Sequence, residues 1–231
     1  MSSKAPCDVI AIDGPAGAGK STVTKMLAKE MGLRYLDSGA MYRCVALLAL
    51  RRGLSSENAG PLEALAQECE IEFADGDPQR VFLNGEEVTT AIREPQVGDM
   101  ASAVSVHPGV RAVLVKLQQQ IVAKGGCVLE GRDATTVIAP HACLKVFLTA
   151  TAEERARRRH AELRNRDQVV AYGEVLRAIV ERDQRDSERD ASPLTVAPDA
   201  ILIDSTDMTP VQVVEEIRRH ALEAGSRSTT A

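Results

Sequence analysis

Short apolar runs alternate along the chain with stretches whose apolar residues recur every three or four positions. The runs occupy residues 8–13, 33–36, 127–130, 144–148 and 200–203. Each run is short and mostly apolar, which is typical of a strand buried on both faces of a parallel sheet. The stretches between them have helical spacing, as Val23, Leu27 and Met31 illustrate. The alternation predicts an α/β fold, a five-stranded parallel sheet flanked by helices.

A different pattern interrupts this alternation between residues 60 and 107. Ile71 and Phe73 alternate with glutamates, and Asn84-Gly85 separates two further extended runs, which is a strong hairpin signal. Antiparallel strands in an otherwise parallel chain indicate an inserted subdomain. We therefore divide the chain into a core domain of residues 1–59 and 108–231 and an insertion of residues 60–107. The core domain is expected to close with a helix from Thr209-Pro210 to Gly225.

Composition excludes several classes of protein. The 231 residues include 33 acidic and 28 basic side chains, a formal net charge of −5, with no Trp, three Tyr and three Phe. A basic surface or aromatic platforms for nucleic acid are therefore not expected. The five cysteines form no C-x-x-C pair, which favours reduced, mostly buried thiols. Without a signal-peptide pattern or an apolar run of membrane length, we expect a cytoplasmic protein without membrane contact.

The junction after the first apolar run carries the strongest chemical signal. Gly14-Pro15-Ala16-Gly17-Ala18-Gly19-Lys20-Ser21 fits the phosphate-binding pattern G-x-x-x-x-G-K-[ST] and is named the P-loop below. Its glycines let backbone N–H groups converge on phosphate oxygens, while Lys20 adds a positive charge and the Ser21 hydroxyl suits Mg²⁺. A chance match is the alternative, but the strand before the loop and the helix after it are the setting that the motif requires. We expect a nucleoside triphosphate here.

Arginine outnumbers lysine, with 21 Arg against seven Lys, and arginine binds phosphate through two parallel hydrogen bonds. Arg43 and Arg132 each follow a predicted strand, at the sheet edge where ligands lie in this architecture. Thr151 and Glu154 form a capping-box start for an arginine-rich helix. That helix is either a solvated face or, as we favour beside a P-loop, part of a lid over about residues 151–170.

A second charged helix is predicted over about residues 173–189. Its stripe consists of Val175, Ile179, Arg182, Asp186 and Arg189. Ion pairs on an exposed helix are one interpretation of this pattern. We favour the other: charges that continue an apolar stripe face a polar interior, such as a ligand cleft.

Several arginines beside a triphosphate site favour phosphoryl transfer to an acceptor that is itself anionic. A phosphate monoester is already a nucleophile at neutral pH, so positioning and electrostatic stabilisation suffice and no general base is expected. A GTP-binding switch is excluded, because the chain has no Asn-Lys-x-Asp motif and no Asp-x-x-Gly after the P-loop. A kinase of another monophosphate or of a hydroxyl acid, and a purely structural nucleotide-binding module, remain alternatives.

The longer motifs resemble the bacterial cytidylate kinase family. They are IDGPAGAGKST at 12–22, LDSGAMYR at 36–43, GRD at 131–133 and ERDQRDSER at 181–189, followed by Pro193-Leu194. The similarity extends from the first strand to Asp204-Ser205-Thr206. It implies ATP- and Mg²⁺-dependent conversion of CMP or dCMP to the diphosphate, on a P-loop NTPase fold like that of adenylate kinase. The insertion would then bind the monophosphate, and we expect a monomer whose partners are these nucleotides.

Matched by position, the resemblance assigns roles to individual side chains. ATP would be held by Gly14, Pro15, Ala16, Gly17, Ala18, Gly19, Lys20, Ser21 and Thr22, with Ser21 also binding the metal. Ser38, Ser102, Arg111 and Asp133 would face the cytosine and nucleoside. Arg182 and Asp186 would hold the sugar, and Arg43, Arg132 and Arg189 the acceptor phosphate. Arg155, Arg158 and Arg159 would lie in or beside the lid, and the residues expected to act in catalysis are Lys20, Arg132, Arg158 and Arg189.

One segment departs from the family. There, Gly-Arg-Asp is usually followed by an apolar residue, Gly and Thr, whereas this chain has Ala134-Thr135-Thr136. A threonine does not readily adopt the positive φ that glycine allows. The shape of the loop behind Asp133, and with it the direction of that side chain, therefore does not follow from the resemblance.

Overall fold

A computed structural model of the protein describes residues 7–74, 76, 78–165 and 167–228. The strands are β1 Val9–Asp13, β2 Arg34–Asp37, β3 Ile71–Ala74, β4 Arg80–Leu83, β5 Glu86–Glu87, β6 Cys127–Gly131, β7 Leu144–Thr149 and β8 Ile201–Asp204. The α-helices are α1 Lys20–Met31, α2 Ser38–Arg51, α3 Ala59–Gln67, α4 Pro95–Val104, α5 Pro108–Val122, α6 Ala152–Arg164, α7 Tyr172–Glu188 and α8 Pro210–Ser228. A 3₁₀ helix, Ala91–Arg93, and a π-helix, Ala134–Ile138, complete the described elements.

The chain divides into two compact units, which are described separately. The core unit consists of Met1–Leu36 and Ile121–Ala231, and the middle unit of Asp37–Gln120. The predicted insertion, residues 60–107, lies inside the middle unit. Its role in binding a monophosphate stays a prediction.

The core unit is built on a five-stranded parallel sheet in the order β2-β6-β1-β7-β8, which confirms the predicted α/β fold. β1 lies at the centre, where Asp13 is in register with Gly131 of β6 and with Phe147 of β7. Parallel strands end at the same edge of a sheet. The segments that follow β1, β6 and β7 therefore begin side by side, as ligand-binding loops do in open α/β sheets.

Apolar side chains on both faces of this sheet explain why the runs fold as buried strands. Ile10, Ile12 and Leu148 are fully buried, with α1 contributing Leu27 and α8 contributing Ile217 to the same hydrophobic cluster. Burial of such side chains contributes about 1.5–3 kcal/mol each. The central strands, and with them the start of the P-loop, are consequently the most firmly held part of this unit.

The middle unit contains the antiparallel sheet β3-β4-β5. Asn84 and Gly85 both have positive φ, 50° and 80°, as the predicted two-residue hairpin requires. Helices α2 and α4 pack against each other in this unit. The alternation of apolar and charged residues therefore predicted these strands correctly.

Three local expectations are wrong. Helix α8 continues past Gly225 to Ser228, which is tolerable because a helical glycine costs only about 1 kcal/mol. The capping box at the start of α6 is half formed: Thr151 Oγ1 accepts a hydrogen bond from the Glu154 backbone, but the Thr151 N–H donates to Thr206 Oγ1. Glu154 instead pairs with arginines of its own helix.

The third correction concerns the cysteines. Cys7 and Cys143 form a disulfide with Cα atoms 5.7 Å apart, because the Cys143 N–H donates to the Val9 carbonyl and aligns the starts of β7 and β1. The expectation of five reduced thiols is wrong for this pair. Cys44, Cys69 and Cys127 are buried free thiols, and burial raises the pKa of Cys44 to about 12. No helix within the described residues is long and apolar enough to cross a membrane.

Candidate active site

The P-loop has the backbone that its glycines predict. Gly14, Gly17 and Gly19 have φ values of 150°, 77° and 88°. A side chain at Gly14 would collide with the Leu148 carbonyl of β7, and one at Gly17 would lie 3.1 Å from Arg155 Cβ. Glycine is required here for close packing as well as for backbone conformation. The loop leads into α1 with Gly19 as its left-handed N-cap, so the first N–H groups of that helix face the loop.

Lys20 is buried against its own loop. Its ammonium donates to the carbonyl oxygens of Gly14 and Pro15 at 2.6 and 2.8 Å. Burial, together with the charge of Arg132, lowers the pKa of Lys20 to about 7. A lysine in this state gains from an anion, since a phosphate would restore the charged form that burial disfavours.

Ser21 lies beside a carboxylate that the sequence did not single out. Its hydroxyl donates to Glu130 Oε2 at 2.9 Å, and Glu130 Oε1 accepts from the Tyr35 hydroxyl. Glu130 is buried at the end of β6. No group of three or more His, Cys, Asp or Glu side chains suited to a metal occurs in the described part of the chain. A hydroxyl with one nearby carboxylate fits Mg²⁺ brought in with a nucleotide, because Mg²⁺ takes few protein ligands beside phosphate and water.

The predicted stripe on α7 ends in a cluster of charges. Val175, Ile179 and Asp186 are buried, as the pattern predicts. Arg132 Nε donates to Asp186 Oδ2 at 2.8 Å, while the Arg182 Nε lies 3.9 Å from the same oxygen. Burial raises the pKa of Asp186, but the charges of Arg132 and Arg182, and more weakly that of Arg189, outweigh it and leave the pKa below its ordinary value. Asp186 therefore contacts arginines from two segments, Arg132 and Arg182, while the Arg189 Nε donates to the Ser192 carbonyl at 2.7 Å.

The arginines of α6 fall into three environments. Arg155 is buried and donates to the Ala16 carbonyl of the P-loop at 3.0 Å and to Asp183 at 2.6 Å. Arg158 donates to Ser205 and to Glu154, and its guanidinium would be 3.8 Å from a Cβ at Gly19. Arg159 is more exposed and pairs with Glu162. Two of the three predicted lid arginines thus adjoin the P-loop.

Four further predicted substrate residues lie in the middle unit. Arg43 Nη1 donates to the Ile92 carbonyl at 2.9 Å. Arg111 is buried, donates to the Ser105 carbonyl and has its guanidinium 5.5 Å from the centre of the Tyr42 ring. Ser38 and Ser102 are buried in the same unit.

The segment behind Asp133 folds without the backbone that glycine would allow. Asp133 is buried, and the described residues other than glycine with positive φ are Asn84, Asp167 and Ser192. Thr135 is not among them, because Ala134–Ile138 forms a π-helix. Its first amides bond to Asp13, a second buried carboxylate that the sequence did not single out.

The sheet, the P-loop and the adjoining arginines define a P-loop phosphotransferase. Similarity to known proteins narrows this class. A family model described as cytidylate kinase matches residues 10–223, and the chain belongs to this family, which confirms the resemblance found in the sequence.

Individual relatives of the chain are also named cytidylate kinase. A cytidylate kinase of Carboxydothermus hydrogenoformans is 49% identical over 209 residues, covering 90% of this chain and 94% of that protein. One of Pseudomonas aeruginosa is 48% identical over 220 residues, covering 94% and 96%. A solved structure of an uncharacterised protein from Eubacterium ventriosum has a TM-score of 0.53 at 12% identity, covering 93% of this chain and 98% of that one. At that identity the likeness supports the fold alone.

Proposed function

We propose that this enzyme transfers the γ-phosphoryl group of ATP to CMP or dCMP, giving ADP with CDP or dCDP. The observation that carries the proposal is the contact of Arg132 and Arg182 with the buried Asp186, in the same unit as the P-loop. Guanidinium groups bind phosphate oxygens in pairs and stabilise the charge that spreads over a transferring phosphoryl group. The names of relatives that match most of the chain support a cytidine monophosphate as acceptor.

The P-loop, Gly14 to Ser21, and the adjoining Thr22 are the proposed ATP site. The backbone N–H groups at the start of α1 would receive the phosphates, and Lys20 would exchange its bonds to the Gly14 and Pro15 carbonyls for bonds to phosphate oxygens. Arg158, next to Gly19, is the proposed second catalytic cation on the donor side.

Mg²⁺ is the proposed metal, and Ser21 is its proposed protein ligand. Glu130, which accepts a hydrogen bond from the Ser21 hydroxyl, would orient that hydroxyl or a metal-bound water. When bound, Mg²⁺ would offset the negative charge of the triphosphate.

The proposed acceptor residues are those that the motifs shared with the cytidylate kinase family suggest. Arg43, Arg132 and Arg189 would hold the acceptor phosphate, and Arg182 with Asp186 the sugar. Ser38, Ser102, Arg111 and Asp133 would contact the nucleoside. A monophosphate that is already ionised needs orientation rather than a base, so these residues would act by positioning the attacking oxygen in line with the leaving group.

We also propose a monomeric, cytoplasmic enzyme that acts on free nucleotides. The net charge of −5 disfavours a nucleic-acid partner. A kinase for another monophosphate is the second candidate, since the arginine cluster itself recognises phosphate and not the base.

The acceptor is tested by ADP release in a coupled assay, with CMP, dCMP, UMP, AMP and shikimate offered separately with ATP and Mg²⁺. We expect CMP or dCMP to give the highest kcat/KM, because the chain belongs to the cytidylate kinase family. A preference for AMP or shikimate would overturn the acceptor assignment.

A variant in the same assay separates the acceptor side from the donor side. Arg189→Ala should lower kcat/KM for CMP by about a hundredfold, since one positioned donor to a transition-state oxygen is worth that much. Binding of a non-hydrolysable ATP analogue should be unchanged. Arg219→Ala, at an exposed arginine of α8, is the matched control and should leave both properties as they are.

A further inference from the structure

The buried carboxylate of Asp13 is bound by three donors from one distant segment. Asp13 Oδ1 accepts from the Ala134 N–H at 2.8 Å. Oδ2 accepts from the Thr135 N–H at 2.8 Å and from the Thr135 hydroxyl at 2.6 Å. The carboxylate has no exposed surface, and Thr135 is 1% exposed. The contact is therefore shielded from water and cannot be replaced by solvent.

The chemistry of this contact explains why it would hold its geometry. Burial of a carboxylate destabilises the folded protein unless hydrogen bonds satisfy its oxygens. The burial of Asp13 does raise its pKa, while the hydrogen bonds from Thr135 and Ala134 act in the opposite direction. Two of the three donors are backbone N–H groups, and the third is the side-chain hydroxyl of Thr135.

The contact closes a short loop onto the start of the P-loop. Asp13 is the last residue of β1 and immediately precedes Gly14, and its partner in the neighbouring strand is Gly131. The chain continues from Gly131 through Arg132 and Asp133 to Thr135. Both ends of the segment that carries Arg132 are consequently attached to the same residue, Asp13.

Arg132 is the side chain whose position this arrangement would control. It donates to Asp186 at 2.8 Å, and its charge acts on Lys20. We propose that Asp13 and Thr135 are a positioning pair that fixes Arg132 relative to the P-loop. Arg132 would then hold the acceptor phosphate in line with the triphosphate of the donor. This role rests on the proposed function. In the proposed function, neither Asp13 nor Thr135 contacts a nucleotide.

The test removes the Thr135 hydroxyl while keeping the shape of the side chain. Thr135→Val should lower kcat with CMP at least tenfold, because a displacement of about 1 Å at a reacting group can cost about a hundredfold. It should leave KM for ATP within about twofold. Thr135→Ser, which keeps the hydroxyl, should restore kcat. The matched control is Thr24→Val, also at a fully buried threonine, whose hydroxyl has no hydrogen-bond partner among the described residues.

A purely structural role would give other results. Equal kcat for Thr135→Val and the unmodified enzyme, no rescue by Thr135→Ser, or an equal loss in Thr24→Val would each overturn the proposal. If Thr135→Val does not fold at the assay temperature, Thr135→Ala replaces it. Failure of both to fold would make the pair structural and would overturn the proposal as well.

Amide exchange, which does not depend on turnover, tests the positioning pair separately from the identity of the acceptor. The Ala134 and Thr135 amides, bonded to Asp13, should exchange with solvent slowly in the unmodified protein and at least tenfold faster in Thr135→Val. Unchanged exchange would overturn the positioning pair. If another acceptor proves best in the unmodified enzyme, the acceptor assignment fails, and the variants are compared on that acceptor.

Discussion

Lys20 is a cation placed to bind phosphate, yet its surroundings disfavour its charged form. Its ammonium is buried and held by two carbonyl oxygens, and its pKa is lowered to about 7. Folding thus disfavours the charged form, and between pH 7 and the ordinary value of 10.5 the unfolded chain binds the extra proton. The free energy of unfolding contributed by this residue should therefore rise with pH through that window.

Nucleotide binding should raise the lowered pKa of Lys20, so that the protein takes up a proton when the nucleotide binds. At pH 8–9, where the triphosphate is fully ionised, we expect ATP binding to be accompanied by uptake of up to about one proton, because phosphate favours charged Lys20. The measurement is titration calorimetry in buffers of different ionisation enthalpy. Lys124→Met, at an exposed lysine, is the control and should keep the uptake. A binding enthalpy that does not depend on the buffer would contradict the prediction.

Individual residues were predictable where a local pattern marked them. Lys20 and Ser21 belong to a motif of eight residues, and Asp186 lies on a helical stripe of one element. Glu130 and Asp13 were not predicted as site residues. The Glu130 contact joins residues 109 positions apart and the Thr135 contact to Asp13 joins residues 122 apart. Such pairs depend on the register of β1 and β6, which no local periodicity specifies.

At the scale of elements, α6 and α7 are held by a small hydrophobic cluster of their own. It consists of Ala156, Leu163, Val175 and Ile179, with Val170 and Leu176 packed against it. The larger cluster of the core unit shares none of these residues. Because the cluster is small, we expect the two helices to open as a unit of low local stability, as the predicted lid would require.

Truncation of that cluster should loosen the two helices selectively. Ile179→Ala should cost about 2–4 kcal/mol locally and speed amide exchange in α6 and α7, while amides of β1 and β6 stay protected. Val180→Ala, at the next position of α7 but 49% exposed, should change neither. Exchange measured by mass spectrometry checks both variants. Uniform loss of protection throughout the core unit would mean that the helices do not open separately.

The existence and type of the long elements followed from periodicity, whereas their ends depended on neighbours. The helical spacing around Val175 and Ile179 predicted α7 to within a residue at each end. The Gly225 stop signal failed in α8. The π-helix after Asp133 was not predicted, because its shape depends on bonds to Asp13 in another strand. Local preference thus decides the element, and tertiary contacts decide its details.

At the scale of the whole molecule, one covalent bond links distant parts of the sequence. The Cys7–Cys143 disulfide spans 136 residues. Cross-linking so long a loop restricts the unfolded chain and is worth about 5 kcal/mol in the chain-entropy treatment.

Reduction should therefore lower thermal stability. We expect Tm to fall by on the order of 10 °C when a thiol reductant is added, as measured by scanning calorimetry. The Cys143→Ser variant should have the Tm of the reduced protein, whether or not reductant is present. Cys69→Ser, at a buried thiol outside the disulfide, serves as the control and should keep its response to reductant. Identical melting of the oxidised and reduced protein would contradict this prediction.

The central place of β1 in the sheet has a consequence for synthesis on the ribosome. Its two neighbours, β6 and β7, begin more than a hundred residues later in the chain. At about 5–20 residues per second, translation leaves β1 and the nascent P-loop without strand partners for roughly 6–23 s. The middle unit is contiguous, from Asp37 to Gln120, and is complete within that interval. Strand β1 is thus paired only after the whole middle unit has been synthesised.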